Sequence, residues 1–140
     1  MTLYLDTSSL LKLYVDEHGS LDVVDLVESC DVVATLTLTY TEARSALARR
    51  RRERLLSVRG LSDVRRLLDV DWAALLHIDV TRELCAEAAD MADRYGLRAY
   101  DSLHLAAFAH IARQAGVEHT IFSSADAALT RAAKALARTL

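Results

Sequence analysis

The segment "GLRAYDSLHLAAFAH" at residues 96–110 decides the fold, because it predicts a helix that is too apolar for a protein surface. Every residue from Leu103 to Ala112 is apolar except His104 and His110. A helix that is apolar around most of its circumference is buried inside a domain. Asp101 lies near the start of this helix, where a carboxylate beside buried apolar residues needs a partner. The sequence therefore poses a question of function: what does Asp101 bind?

The chain around this helix alternates between strand-like and helix-like segments. Short runs rich in β-branched or aromatic residues predict four strands, at residues 2–6, 31–38, 76–80 and 119–124. Helical patterns fill the intervals, and one of the clearest begins at a capping Thr81 and ends at Gly96. Alternating strands and helices predict an α/β fold with a parallel sheet. Because the chain has no repeats, low-complexity segments or linkers, we expect residues 1–140 to form a single domain.

Local signals also predict where several helices begin and end. Thr7 or Ser8 is expected to cap the helix after the first strand. Thr39 and Glu42 have the spacing of a capping box, which predicts that a helix starts at Thr39. Gly60 is expected to break that helix before the next one begins.

The composition excludes several classes of protein. Of the 140 residues, 52% are hydrophobic and 26% are charged, which is typical of a globular domain. No apolar run reaches the ~18 residues of a membrane-spanning helix, and the N-terminal segment is unlike a signal peptide. The two cysteines, Cys30 and Cys85, do not suggest a disulfide framework. The sequence predicts a soluble cytoplasmic protein without a membrane partner.

The charges are unevenly distributed along the chain. The net charge of −3 does not by itself indicate a nucleic-acid partner, but the segment "RRRRER" at residues 49–54 carries five Arg and one Glu. A basic patch on an acidic protein can contact RNA phosphates, and such binding weakens with salt. The alternatives are a solvated helix face or contacts with an acidic partner protein. The candidate RNA-binding residues are Arg49, Arg50, Arg51, Arg52 and Arg54.

Four acidic residues lie where strands end or helices begin. Asp6 ends the first strand, and Glu42 lies in the first turn of the helix after the second strand. Asp101 opens the apolar helix, and Asp126 follows the last strand by two residues. Because a parallel sheet gathers the carboxyl ends of its strands at one edge, these side chains could meet there. Each acid also has a purely structural interpretation, as a helix cap or as a favourable charge in a first turn.

A cluster of such carboxylates would require a counter-ion. Clustered carboxylates repel one another unless some are protonated or a cation neutralises them. A site that offers only carboxylate oxygens suits Mg²⁺ or Mn²⁺ better than zinc or copper. Such a cation activates a water and polarises a phosphodiester oxygen, which is the chemistry of metal-dependent nucleases. The pattern therefore suggests that Asp101 binds a metal ion.

Four segments resemble the motifs of the PIN-domain family and, within it, of the VapC-like toxins of bacterial toxin–antitoxin pairs. They are "YLDTSSLLKLY" at 4–14, "TYTEARSAL" at 39–47, "LRAYDSLHLAA" at 97–107 and "FSSADAAL" at 122–129. The segments lie in the family's order, and the resemblance spans essentially the whole chain. It implies a PIN-like three-layer sandwich, with a central parallel sheet flanked by helices.

The same resemblance implies a function and a set of site residues. The positions that match the family's acidic metal site are Asp6, Glu42, Asp101 and Asp126, and Ser124 matches a small hydroxyl position at which Thr is usual. We expect Asp6 and Asp101 to bind the metal directly or through water. Glu42 and Asp126 would complete the site, and Ser124 would hold a ligand carboxylate or a water. The implied protein is an endoribonuclease that uses Mg²⁺ or Mn²⁺, forms a homodimer and is blocked by a cognate antitoxin.

Two other classes of protein stay open from the sequence alone. The first is a catalytically inactive PIN-like module that only binds a protein partner. The second is a phosphoacceptor domain, but the haloacid-dehalogenase type needs a second Asp where Ser8 stands, and the receiver type needs an acidic neighbour that Asp6 lacks. His104 is expected to be a packed or hydrogen-bonded core residue rather than a metal ligand, and the same is expected of His110.

Overall fold

Four parallel strands form one sheet at the centre of the protein, in the order β3-β2-β1-β4. The structure, a computed structural model, describes residues 1–140. The strands are β1 (Thr2–Leu5), β2 (Val32–Leu36), β3 (Leu76–Ile78) and β4 (Thr120–Ser123). The helices are α1 (Thr7–Leu11), α2 (Ser20–Ser29), α3 (Leu38–Arg52), α4 (Val58–Trp72), α5 (Arg82–Tyr95), α6 (Ala99–Ala115) and α7 (Ala127–Ala137), and a short 3₁₀ helix (Val117–His119) precedes β4.

The sheet separates two apolar layers, because successive side chains of a strand point to opposite faces. Leu3 and Leu5 of β1 pack on one face with residues of α1, α2, α3 and α4. Tyr4 packs on the other face with residues of α5, α6 and α7. The structure therefore confirms the expected three-layer α/β sandwich, with a central parallel sheet flanked by helices.

Helix α6 is the apolar helix that the sequence predicts to be buried. It contacts β1, β2 and β4 as well as the helices α5 and α7, and its residues from Leu105 to Ala109 are all buried. His104 is buried as expected, whereas the same expectation is wrong for His110, which is exposed and lies against the side chain of Gln114. Position 110 belongs to the narrow side of α6 that faces solvent. None of the helices has the length and apolar composition needed to cross a lipid bilayer.

The order of the strands creates a switch point between β1 and β4. These two strands are neighbours, with Leu5 paired with Ser123 at their carboxyl ends. The chain leaves β1 into α1 on one face of the sheet, but it leaves β4 into α7 on the opposite face. Open α/β sheets bind ligands in the crevice formed where the direction of the connections reverses in this way. Residues that follow β1 and β4 are therefore placed at the edge where a site is expected.

Two of the predicted helix caps are wrong. The N-cap of α1 is Asp6, whose Oδ1 accepts a hydrogen bond from the backbone N–H of Ser9 at 2.9 Å, so neither Thr7 nor Ser8 caps this helix. Helix α3 begins one residue before Thr39. Thr39 is buried and its hydroxyl oxygen accepts a hydrogen bond from Thr35 Oγ1 at 2.8 Å.

The expected capping box of α3 fails because Glu42 has tertiary partners. Its Oε1 lies 2.8 Å from Thr7 Oγ1 and 3.0 Å from His104 Nε2, so the side chain does not turn back to the start of its own helix. The spacing of residues 39 and 42 fits the motif, but the donors Thr7 of α1 and His104 of α6 compete successfully for the carboxylate.

Gly60 does not break a helix. Helix α3 already ends at Arg52, and the connection passes through Arg54, which has a positive φ of 59°. Helix α4 then begins at Val58, and the N–H of Gly60 donates to the capping Ser57 Oγ at 2.9 Å. A glycine in the first turn of a helix is tolerated there because the N-cap satisfies its N–H.

Candidate active site

Asp6 follows the end of β1, and its carboxylate is buried with hydrogen bonds to both of its oxygens. Only 4% of the residue is exposed. Its Oδ1 accepts hydrogen bonds from Ser8 Oγ at 2.7 Å and from the backbone N–H of Ser9 at 2.9 Å. Its Oδ2 accepts a hydrogen bond from Ser124 Oγ. Three donors from two segments of the chain therefore fix the orientation of this carboxylate.

Ser124 connects the ends of β1 and β4. Its hydroxyl donates to Asp6 and accepts the backbone N–H of Asp126 at 3.0 Å. Asp126 is the N-cap of α7, and its Oδ1 accepts the backbone N–H of Leu129 at 2.9 Å. The structural interpretation of Asp126 as a cap thus holds, and its Oδ2 is left for another partner.

Glu42 faces His104 across the site. Burial alone would raise the pKa of Glu42, but the hydrogen bond and the charge of His104, together with the hydrogen bond of Thr7, outweigh burial and lower it. The His104 ring is buried, and its Nδ1 lies 2.9 Å from the hydroxyl of Tyr4. The prediction of a hydrogen-bonded core histidine is confirmed, and this histidine also contacts one of the four acids directly.

Asp101 forms an ion pair with Arg98. Arg98 is therefore the partner that a carboxylate beside buried apolar residues needs. Arg98 Nε lies 3.0 Å from Asp101 Oδ2, and Arg98 Nη2 lies 3.7 Å from Asp126 Oδ2. The hydrogen bond and charge of Asp101, with the charge of Asp126, raise the pKa of the guanidinium. The Asp101 side chain is 19% exposed and that of Arg98 is 81% exposed, so Arg98 covers the acids from the solvent side.

Arg98 was not among the residues predicted for the site, although a local signal was present in the sequence. Arg98 is the residue at the start of α6 and stands three positions before Asp101, a spacing at which side chains of a helix are neighbours. The contact with Asp126 has no such local signal, because that residue belongs to another element.

The four acids are linked in a closed series by side-chain contacts and by two short segments of the chain. Thr7, the neighbour of Asp6, contacts Glu42, which contacts His104 of α6. Asp101 lies one turn before His104 on α6, and Arg98 contacts both Asp101 and Asp126. Ser124 is hydrogen-bonded to both Asp126 and Asp6, which closes the series. We call this arrangement the acid ring. No three His, Cys, Asp or Glu side chains converge closely enough to hold a metal ion between them.

The arginine segment at the end of α3 divides between a cleft and the open surface. Arg49 and Arg52 line a cleft of about 430 Å³ that Glu42 and Tyr100 also line. Arg49 also forms an ion pair with Glu53, with 2.9 Å between Arg49 Nε and Glu53 Oε1. Positive charges at the carboxyl end of a helix are favoured by the helix dipole.

The other arginines of the segment do not line this cleft. Arg50 instead pairs with Glu17, with 2.9 Å between its Nη2 and the Glu17 Oε2. Arg51 and Arg54 are likewise absent from its lining. The structure thus separates two candidate RNA-binding residues, Arg49 and Arg52, from three that lie elsewhere.

Comparison with known proteins agrees with the fold. A model of the PIN domain family matches residues 3–135. The chain is 34% identical over 103 residues to Ribonuclease VapC45 of Mycobacterium tuberculosis, and the aligned part covers 74% of this chain and 72% of that protein. Among solved structures, the fold is similar to that of VapC20 of Mycobacterium tuberculosis, which is described as a sarcin–ricin loop cleaving toxin. The TM-score is 0.66 and the sequence identity is 18%, and the match covers 93% of this chain and 94% of that chain. A toxin–antitoxin complex from Klebsiella pneumoniae has a TM-score of 0.59, an identity of 14% and coverage of 85% and 95%.

The fold and the acid ring define an α/β protein with an acidic site at the switch point of a parallel sheet. With the family model matching nearly the whole chain, the protein belongs to the PIN-domain family, in the group of the VapC ribonucleases.

Proposed function

We propose that the protein is a metal-dependent endoribonuclease and the toxin of a cytoplasmic toxin–antitoxin pair. The observation that carries the proposal is the acid ring, which links Asp6 and Asp126, the acids that follow β1 and β4, with Glu42 of α3 and Asp101 of α6. The relative in Mycobacterium tuberculosis is named a ribonuclease. This supports hydrolysis of an RNA phosphodiester bond as the reaction.

The donors of the acid ring fit Mg²⁺ or Mn²⁺. They are carboxylate oxygens, and Arg98 already places a positive charge between Asp101 and Asp126. Mg²⁺ usually keeps several waters and uses one or two carboxylates, so it does not require three converging protein groups. We propose that Asp6 and Asp101 hold the cation, directly or through water, and that Glu42 and Asp126 would complete the site by orienting waters bound to the cation. When bound, the cation would activate a water and polarise the phosphodiester.

Several residues of the chain prepare this site without binding the cation. Ser124 and Ser8 hold the two oxygens of Asp6, which keeps the buried carboxylate in one orientation. Arg98 is largely exposed, so it can leave Asp101 and donate to a phosphate oxygen of the RNA.

The cleft beside Glu42 gives the RNA strand a path to the site. Arg49 and Arg52 on its wall would contact phosphates. Tyr100 on the same wall has an exposed ring on which a base could stack. The proposed substrate is therefore a single-stranded or looped RNA whose backbone follows the cleft to the acid ring.

A protein partner belongs to the proposal as well. The structural neighbour from Klebsiella pneumoniae is a toxin–antitoxin complex, which supports a cognate antitoxin that blocks the acid ring, and we propose that the toxin itself is a homodimer. The competing proposal is a catalytically inactive module that only binds its partner. The presence of all four acids favours the nuclease.

The test is cleavage of RNA by the purified protein beside its Asp101→Asn variant. Total RNA is incubated with Mg²⁺, with Mn²⁺ and with EDTA, and the products are separated on a denaturing gel. We expect discrete products that require both the metal and Asp101, while the variant keeps its affinity for the antitoxin. Equal cleavage by the variant, or cleavage in EDTA, would contradict the assignment of Asp101, and binding of the antitoxin without any cleavage would favour the inactive module.

A further inference from the structure

Glu42 is held through one of its two oxygens. Its Oε1 accepts the hydroxyl of Thr7 at 2.8 Å and lies 3.0 Å from His104 Nε2, whereas no protein group hydrogen-bonds to Oε2. A glutamate side chain has several rotatable bonds and loses considerable freedom when it is fixed. Two donors on one oxygen restrict that freedom and leave the other oxygen without a protein partner, and Glu42 itself lines the cleft.

The donor from α6 is itself fixed from behind. His104 is 2% exposed, and its Nδ1 lies 2.9 Å from the hydroxyl of the fully buried Tyr4. The Tyr4 ring stacks on Phe122 with 5.8 Å between their centroids. Because the Glu42 oxygen that faces Nε2 is an acceptor, the contact selects the tautomer with the proton on Nε2. Tyr4 then donates to Nδ1 of the neutral ring, and in a charged ring Nδ1 donates to Tyr4. In both cases the Nε2–H donates to Glu42, so the contact does not depend on the charge of His104.

We propose that His104, supported by Tyr4, is a positioning residue that keeps Glu42 in one conformation with Oε2 free to serve the cation site. This inference rests on the proposed function. His104 lies one helical turn after Asp101 on α6, so that one rigid helix sets the positions of two of the four acids. The conformation of Glu42 is thereby determined before a metal or RNA arrives.

The test compares two amides that replace different nitrogens of the ring. In His104→Gln the amide nitrogen reaches about as far as Nε2 and can still donate to Glu42, whereas in His104→Asn the amide reaches only about as far as Nδ1 and faces Tyr4. Three quantities are measured for each folded variant: kcat and KM for RNA cleavage, Mn²⁺ affinity by calorimetry without RNA, and the conformers of Glu42 in metal-free crystals. Circular dichroism verifies the fold.

We expect His104→Asn to lower kcat and Mn²⁺ affinity about tenfold or more, the usual scale for groups that orient a metal ligand. The KM for RNA should change by less than about twofold, because His104 does not line the cleft. Glu42 should occupy more than one conformer in the crystals of this variant. His104→Gln should restore all three quantities to near the wild-type values.

Several outcomes would overturn the inference. The inference is wrong if His104→Asn keeps the wild-type kcat, Mn²⁺ affinity and Glu42 conformation. It is also wrong if His104→Gln folds but loses as much kcat and Mn²⁺ affinity as His104→Asn. If His104→Asn does not fold, Tyr4→Phe carries the test, since it removes only the hydroxyl behind His104, and unchanged kcat and Mn²⁺ affinity there contradict the proposal. If the wild type itself does not cleave RNA, the proposed function fails, and the conformers of Glu42 alone decide whether His104 positions it.

Discussion

At the scale of residues, the four carboxylates are tolerated together because each has its own partners. Asp6 is surrounded by hydroxyl and N–H donors, Glu42 by Thr7 and His104, and Asp101 and Asp126 share Arg98. Hydrogen bonds to carboxylate oxygens and the charge of Arg98 offset the repulsion between the neighbouring acids. The site is therefore organised to hold negative charge before any cation binds.

Ser124→Ala is expected to destabilise the protein by about 1–2 kcal/mol, because the hydroxyl serves both the buried Asp6 carboxylate and the Asp126 N–H. Ser124→Thr keeps the hydroxyl and is the matched control, with a change of less than ~0.5 kcal/mol. Urea unfolding of the two variants measures the difference. Equal midpoints for Ser124→Ala and wild type would show that the contact between β1 and β4 adds nothing to stability.

The stability of the fold should depend on the charge of Glu42. Its pKa in the folded protein is lowered from 4.5, so the ionised group stabilises the fold above that pH, and the contribution is lost as the pH falls through the lowered pKa. Compared with Glu42→Gln, the wild type should lose thermal stability more steeply below pH 4.5. Circular dichroism melts without divalent metal test this, and parallel pH profiles for the two proteins would contradict it.

At the scale of elements, α6 combines packing with chemistry. Its first turn carries Asp101, its second carries His104, and the buried segment that follows includes the small residues Ala106, Ala107 and Ala109. Ala106 and Ala107 have no exposed surface. Small side chains let α6 approach the sheet closely. The packing of the middle of α6 therefore fixes the positions of Asp101 and His104 in its first two turns.

Ala107→Leu should destabilise the protein by about 1–3 kcal/mol, because a well-packed interior has no space for three more carbons. The matched control is Ala115→Leu, which makes the same change at an exposed position at the end of α6 and should cost less than ~0.5 kcal/mol. Chemical denaturation of both variants gives the comparison. Similar losses at the two positions would mean that helix propensity, not packing, determines the effect.

At the scale of the whole molecule, the order of the strands creates the site. The acids come from four separate elements, and the switch point between β1 and β4 brings the ends of these elements to one edge of the sheet. The basic end of α3 lies along a cleft that leads to the same edge. The protein is negative overall, but this cleft carries basic side chains close to the acids. Such a charge distribution is the one that the proposed function requires, because basic residues attract a phosphate backbone.

Arg49→Ala combined with Arg52→Ala should weaken RNA binding and its dependence on salt. Each lost phosphate contact lowers the slope of log K against log salt by about 0.7 for a single strand, so the pair should lower it by about 1.4. The measurement uses the Asp101→Asn background, so that the RNA stays intact. Arg51→Ala with Arg54→Ala removes the same charge outside the cleft and is the control, and equal slopes for both pairs would exclude the cleft as the path of the RNA.

The sequence by itself determined the features that depend on neighbours along the chain. Strand and helix periodicity predicted the parallel sheet and the buried α6, and the position of each acid at a strand end or helix start followed from the same local patterns. Where local signals competed with distant partners they failed, as for the capping box of Thr39 and Glu42. The carboxylate of Glu42 is taken by donors from α1 and α6 instead.

Only the tertiary structure decided how the acids are held. The contact between Glu42 and His104 spans 62 positions of the chain, and that between His104 and Tyr4 spans 100. Arg98 could be expected beside Asp101 from their spacing, but its reach to Asp126 depends on the packing of α6 against α7. Such contacts leave no periodic signal in the sequence, because they arise where elements that are far apart in the chain meet at one edge of the sheet.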